Sequence, residues 1–292
     1  MISINTLHFF CSGLLVVLLL KLFSHYPILN PLVKNNDGKW HCKKYNRISR
    51  DGGTVLFLFL LGICNPISNW YLFITLLIIF FVGLYDDIYP LSISTRIALY
   101  LVASFTAMFL FDLTSFNFTS IVIPVIACIC LPIFTINAFN IIDNMDGVCI
   151  LSFVLCSIFL LFGFDIVIFP VVGNILLCTV ILFAPIFFAF NAYGKTMLGN
   201  TGSTLLGFLI GLFCVAAFIQ TGNWMKILTC IAYPTFDFLF VVCRRILEGR
   251  EPWIGGTDHT SHFLALRYGE KWALFYIGLF QLSIGLLGFN YL

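Results

Sequence analysis

The sequence predicts an all-α integral membrane protein, a polytopic bundle of about ten transmembrane helices. Three observations predict it. The 292 residues are 61% hydrophobic and 10% charged, with a mean hydropathy of +1.04, whereas a soluble globular domain is about one quarter charged. The apolar residues run unbroken rather than alternating, which excludes the strand pattern of an outer-membrane barrel. The basic residues, once the runs are numbered, collect on one side of the membrane. No repeat, linker or low-complexity segment divides the chain, so residues 1–292 read as one domain.

The spans fall at roughly 5–24, 53–67, 69–84, 96–112, 119–137, 148–164, 167–190, 204–220, 226–243 and 271–290. Residues Met1 to Asn5 carry no basic segment, so the first run reads as a retained span rather than a cleavable signal. Asn65-Pro66 signals the turn between the second and third spans. With the 25–52 loop placed in the cytoplasm, the loops at 85–95, 138–147, 191–203 and 244–270 lie there too. Of the 15 lysines and arginines, all but Lys226 then sit on the cytoplasmic side, span ends included. This asymmetry supports an even number of spans with both termini outside. Asp112 and Asp165 read as solvated acids in outer turns, Asp37 falls on the cytoplasmic side, and Asp237, inside a span, reads as a buried, hydrogen-bonded packing residue rather than a proton relay. The 11 cysteines are scattered through apolar runs. Even Cys128 and Cys130, with no His or Asp nearby, read as small hydrophobes rather than a metal site or a disulfide framework.

Four polar clusters interrupt this apolar chain, and topology puts all four on the cytoplasmic face. Phe81-Val-Gly-Leu-Tyr-Asp86-Asp87 ends the third span in adjacent carboxylates, which suit a divalent cation or a base beside one, or simply a solvated helix end. Asn137, Asn140, Asp143 and Asp146 follow at intervals of three along one helical stripe that cannot face lipid, and Gly147 closes the run. Phe190-Asn191-Ala-Tyr-Gly-Lys195-Thr-Met-Leu-Gly199-Asn200-Thr-Gly202-Ser203 opens the eighth span. Its glycines, hydroxyls and Lys195 fit either a phosphate cradle at a helix N-terminus or an ordinary capped start; it lacks the P-loop order. The last cluster joins Arg244, Arg245 and Arg250 to Gly255-Gly256-Thr-Asp258-His259-Thr-Ser-His262. No third soft ligand accompanies the histidines, so phosphate or lipid headgroups suit them better than zinc. Carboxylates for a cation and cations for phosphate together argue for phosphoryl chemistry at the cytoplasmic interface.

With these motifs in order, the chain resembles the polyprenyl-phosphate N-acetylhexosamine-1-phosphate transferases along nearly its whole length. The resemblance rests on Arg50-Asp-Gly52-Gly53, Asp86-Asp87, Asn140-x-x-Asp143-x-x-Asp146-Gly147, Gly199-Asn200-Thr-Gly202-Ser203 and Asp258-His259-x-x-His262. It implies an inner-membrane enzyme with a cytoplasmic active site that moves a sugar-1-phosphate, most simply GlcNAc-1-phosphate, from a UDP-N-acetyl sugar to undecaprenyl phosphate. Mg²⁺, with Mn²⁺ as a substitute, is the implied cofactor, and a homodimer is admitted. Nucleic acid is not an expected partner. Carried over by position, Asp86 and Asp87 stand by the metal and the lipid phosphate, one of them the candidate base, and Asn200 completes the metal set. Asp143 and Asp146 organise the diphosphate and nucleoside site, with Asn140, Asn191, Lys195, Gly199, Arg244, Arg245, His259 and His262 binding substrate.

Departures accompany the resemblance. Asn200 stands where the family has a metal-binding Asp, Ser49 where it has Pro, and the last motif holds two histidines rather than three, which argues against the muramoyl-pentapeptide branch. Asn200 keeps open a catalytically silent relative that binds lipid or nucleotide. A transporter, which would place its acids near midplane, fits less well.

Overall fold

A computed structural model describes residues 4–26, 49–64, 69–111, 113, 121–164, 170–252 and 256–291, with side chains from Cys11 to Phe289. Lys34, Lys39, Lys43, Lys44 and Arg47 of the basic loop, Asp37, the Asn65-Pro66 turn, Asp112, Asp165 and Gly255 lie outside the described residues. Among the described residues the structure is helical, with one isolated parallel bridge between Ser49 and Thr196.

The helices are α1 (Ile4–His25), α2 (Gly52–Ile63), α3 (Trp70–Ile88), α4 (Ile93–Met108), α5 (Val122–Ile142), α6 (Val148–Gly163) and α7 (Pro170–Ala192). After them come α8 (Gly199–Thr221), α9 (Trp224–Cys230), α10 (Ala232–Leu247), α11 (Thr260–Tyr268) and α12 (Glu270–Tyr291). Five helices, α3, α5, α7, α8 and α12, are long and apolar enough to cross a membrane, and α9 with α10 makes a sixth span if the bent pair counts as one. Helices α2, α4 and α6 are apolar but shorter, as is the Cys11–His25 segment of α1, though each falls where the sequence places a span.

Helix α8 is the axis of the bundle. It is apolar on every side and buried for most of its length, as expected of a helix surrounded by protein. Between membrane helices close packing supplies the attraction, because lipid is as apolar as leucine. Gly207 and Gly211 provide that packing against α5. A Cβ on Gly207 would lie 2.6 Å from the Thr135 carbonyl oxygen, and one on Gly211 would lie 2.6 Å from the Pro132 Cα. At the polar end Gly53 of α2 and Gly83 of α3 approach α8 as closely: their Cβ atoms would sit 2.3 Å from the Gly202 nitrogen and 2.6 Å from the Thr201 Cα.

The expected single span at 226–243 is instead broken, with α9 and α10 meeting at 85° around Ile231. Pro234 lies in the first turn of α10, where its missing N–H is tolerated but a continuous helix through Cys230 is not. Gln281 of α12 repairs the break, its amide nitrogen donating to the Cys230 carbonyl (2.7 Å) and its oxygen accepting from the Tyr233 N–H (2.6 Å). A buried side-chain amide thus takes both backbone groups that the bend releases, which a membrane interior requires.

Candidate active site

Three of the polar clusters meet at one end of the bundle, where α3 and α5 finish and α8 begins. Asp86 and Asp87 leave the last turn of α3. Asp87 Oδ1 accepts from the Asn200 N–H (2.8 Å), and Oδ2 accepts from the Thr201 N–H (2.9 Å) and its hydroxyl (2.6 Å). A carboxylate on another helix therefore caps α8, at the end where the helix dipole favours negative charge. The phosphate cradle read at this N-terminus is thus filled by the protein's own Asp87. Gly199 makes room for it: its φ is +68°, and a Cβ would stand 2.8 Å from Asp87 Oδ2.

Asp86, 6% exposed, is engaged differently. Its Oδ1 accepts from the Leu91 N–H (2.7 Å), which fixes the turn into α4, and its Oδ2 faces Arg96 Nη1 at 3.3 Å. The same Oδ2 accepts from the Asn200 side-chain amide at 2.9 Å. Asn200 Oδ1 in turn accepts from Asn140 Nδ2 at 3.2 Å, so an amide chain runs from α5 through α8 to the carboxylate on α3. The three residues expected to hold a metal, Asp86, Asp87 and Asn200, do come together. Each of them already accepts hydrogen bonds from N–H, hydroxyl or guanidinium donors of the protein. Among the described residues no group of three His, Cys, Asp or Glu side chains is placed to hold an ion. As arranged, Asp86 and Asp87 bring two carboxylates and Asn200 one amide to this point, each hydrogen-bonded within the protein.

The 143–147 turn extends the network from the end of α5. Gly147 adopts φ +82° to start α6, and its N–H donates to Asn191 Oδ1 (2.7 Å). Asn191 Nδ2 donates to Asp146 Oδ1 (3.3 Å) and to the Thr196 carbonyl (2.9 Å). Asn191, expected near the nucleoside, thus has its amide tying two loops together. The Asn191–Leu198 loop is held to the start of α2 by Ser49, whose carbonyl accepts from the Met197 N–H, and by the Gly52 and Gly53 N–H groups. Asp143 caps the C-terminal end of α5, its N–H donating to the Phe139 carbonyl at 3.2 Å. Lys195 is exposed, with its ammonium 5.9 Å from the Phe190 ring centre.

The histidine cluster joins from the far side of that turn. Ser261 Oγ donates to Asn144 Oδ1 (2.7 Å), and His262 Nε2 lies 3.3 Å from the Asn144 carbonyl. His259 Nδ1 sits 3.0 Å from Asp237 Oδ2, while Asp237 Oδ1 accepts from the Thr260 N–H (2.8 Å) and hydroxyl. Both rings are buried, and burial pushes the His262 imidazole below its ordinary value. Arg245, expected to meet a polyanion, is itself buried: it grips Asp258 with two parallel bonds of 2.9 and 2.8 Å and donates to the Pro252 carbonyl. That fork, with Arg250 beside it, holds the Asp258 carboxyl well below the usual carboxylate range. Arg244 pairs with Glu248 (2.7 Å) and lies over the Phe263 ring.

Sequence reasoning overlooked Arg96, Asn144 and Ser261. Arg96 is the cation nearest Asp86, and its signal was a lone charge one turn into an apolar helix. Asp237, expected to be buried and hydrogen-bonded, is so, meeting His259 and Thr260. Asn144 and Ser261 join the second and fourth clusters, a contact that spacing along the chain does not show.

Comparison with known proteins covers this same ground. Over 242 residues the chain is 27% identical to the undecaprenyl-phosphate alpha-N-acetylglucosaminyl 1-phosphate transferase of Thermotoga maritima, spanning 82% of this chain and 75% of that protein. The description of glycosyl transferase family 4 matches residues 69–218, more than half of the chain. That stretch contains Asp86, Asp87, the 140–147 turn, Asn191 and Asn200, and the match over more than half of the chain places this membrane protein in glycosyl transferase family 4.

Proposed function

We propose that the protein transfers N-acetylhexosamine-1-phosphate, most simply GlcNAc-1-phosphate, from a UDP-sugar to a polyprenyl phosphate such as undecaprenyl phosphate. An oxygen of the lipid phosphate attacks the β-phosphorus, the bond from that phosphorus to the bridging oxygen breaks, and UMP leaves with the electron pair. The product is a polyprenyl-diphosphate sugar, the first lipid-linked unit of a cell-surface polysaccharide. In this reading all ten apolar segments cross the inner membrane, the site faces the cytoplasm and both termini lie outside; the skew of the basic residues supports it.

The observation that carries the reading is the apolar groove that leaves the polar network beside Asp86. It is an open groove between α3 and α4 of about 580 Å³, lined by Ile74, Ile78, Phe81, Tyr85, Leu91 and Leu99. Leu91 links it to the polar network, since its N–H donates to Asp86, which also meets Arg96. A ligand with an isoprenoid tail and a phosphate head matches that sequence of surfaces, with Arg96 neutralising the head. A lipid phosphate is already ionised at neutral pH, so the chain's contribution is position and charge compensation rather than proton removal. Mg²⁺ or Mn²⁺ would supply charge neutralisation on the diphosphate.

Membranes containing the protein, incubated with undecaprenyl phosphate, radiolabelled UDP-GlcNAc and Mg²⁺, test this directly. Label should pass into the lipid phase with release of UMP, and Asp143→Asn and Arg96→Ala should abolish or sharply reduce it. Transfer from a different UDP-N-acetyl sugar would change the donor and keep the chemistry. A folded protein silent with every donor would favour the second reading, a relative that binds without turnover, for which Asn200 is the motive.

A further inference from the structure

The side chain of Asn200 stands between two groups of opposite demand. Ionised Asp86 can only accept hydrogen bonds, so the atom 2.9 Å from its Oδ2 must be the Asn200 amide nitrogen. The Asn200 oxygen then points to Asn140 Nδ2 at 3.2 Å, and the three side chains satisfy one another in a single direction. A carboxylate at position 200 would change this. Two carboxylate oxygens 2.9 Å apart cannot both stay ionised without a proton or a cation between them. The amide removes that need, and Arg96 at 3.3 Å supplies Asp86 with its counter-charge.

We propose that in this protein the Asn200 amide takes the place of a resident divalent cation at Asp86, so that an ion reaches the site only on a diphosphate-bearing ligand. The second half rests on the transferase reading above; the first half does not. Mg²⁺ keeps most of its water and is commonly held by one or two carboxylates together with substrate phosphates. Asp86 is one carboxylate, and Asp87 is occupied as the cap of α8 by three donors. The diphosphate oxygens supply what the side chains lack. Asp86 and the Asn200 amide oxygen would be the side-chain groups available to hold such an ion, and the hydrogen bond from the Asn200 amide nitrogen is what occupies that face of Asp86.

The test is Mn²⁺ binding to purified full-length protein by electron paramagnetic resonance, with Mg²⁺-dependent thermal stability alongside. Without nucleotide, the wild-type protein should leave the free Mn²⁺ signal intact, and its melting temperature should be the same in EDTA and in Mg²⁺. Asn200→Asp should bind Mn²⁺ roughly tenfold or more tighter, since an added charged ligand raises affinity. Its melting temperature should drop in EDTA and recover with Mg²⁺, whereas Asn200→Ala should gain no affinity. Tight Mn²⁺ binding by the nucleotide-free wild type would overturn the proposal, as would a folded Asn200→Asp that gains nothing. If Asn200→Asp fails to fold even in Mg²⁺, the wild-type titration decides alone. Adding UDP-GlcNAc should bring Mn²⁺ onto the wild type. If the nucleotide-free arms behave as stated and this last step fails, the donor reading falls while the role of the amide stands.

Discussion

Asp87 and Asp258 are both fully engaged carboxylates at the same end of the bundle, yet their partners are of different kinds. Asp87 is met by two backbone N–H groups and a hydroxyl, all neutral, at the positive end of α8. Asp258 is met by the guanidinium of Arg245, itself 3% exposed, and by Arg250. The difference teaches where charge is structural. Removing Asp87 leaves helix-end amides that water can reach in part, whereas removing Asp258 strands a cation inside the protein.

The largest expected effect follows from that stranded cation. Asp258→Ala should cost about 3–5 kcal/mol of stability, as for other buried pairs that lose one partner. The loss should appear as a lower melting temperature in detergent, together with loosening of the α10–α11 loop. The double change Arg245→Met with Asp258→Leu should recover most of the loss, because no buried charge remains. Equal loss in the single and double variants would mean that the loop depends on the bond geometry and not on charge compensation.

Asp87→Ala should cost less, about 1–2 kcal/mol, the range for a lost helix cap. Asp87→Asn should fall between, since it keeps an acceptor and gives up the interaction with the dipole. If Asp87→Ala proved as damaging as Asp258→Ala, the two carboxylates would be equivalent and the contrast would collapse. A sharper version uses Gly199. Gly199→Ala meets both a positive φ and the Asp87 carboxylate, so it should lose more than Asp87→Asn although it removes no hydrogen bond.

The same contrast explains what could be read in the sequence. Apolar length placed helix at each expected span, in two pieces at 226–243, because long apolar runs announce themselves by composition alone. Among the described residues, though, only five helices, or six with the bent pair, are long enough to cross a membrane. The residues of the helix-end network also stood out, since Asp86, Asn140, Asp146 and Asn200 are polar groups at the ends of apolar runs. What spacing cannot show is which donor meets which acceptor. Asn200 and Asp86 are far apart in sequence, and whether the start of α8 holds a foreign phosphate or Asp87 depends on how closely α3 and α8 pack. That closeness comes from Gly83, where a Cβ would stand 2.6 Å from the Thr201 Cα and the signal is the absence of a side chain. The bend at Ile231 was hidden for a similar reason: Pro234 suggested it, but only Gln281, on another helix, makes it affordable.

The smallest effect is a pH dependence that separates the histidine loop from both carboxylates. His262 packs against the Asn144 carbonyl and the His259 ring, with Asp237 beyond, and burial lowers its pKa below the ordinary value. The fold thus favours the neutral imidazole, and the unfolded chain binds the proton more readily. Stability from this group is complete above about pH 6.5 and declines as pH falls from there toward the lower folded value. Asp258 is also depressed, but its contribution persists until pH drops below the ordinary Asp value of about 3.9, so it stays constant throughout the histidine window. Melting temperature measured from pH 8 down to pH 5 should therefore decline in the wild type and decline less in His262→Gln. Asp258→Asn should lower the whole curve without changing its slope. A slope that His262→Gln leaves untouched would show that the buried ring bears no cost on protonation, and that the loop around Asn144 opens freely to water.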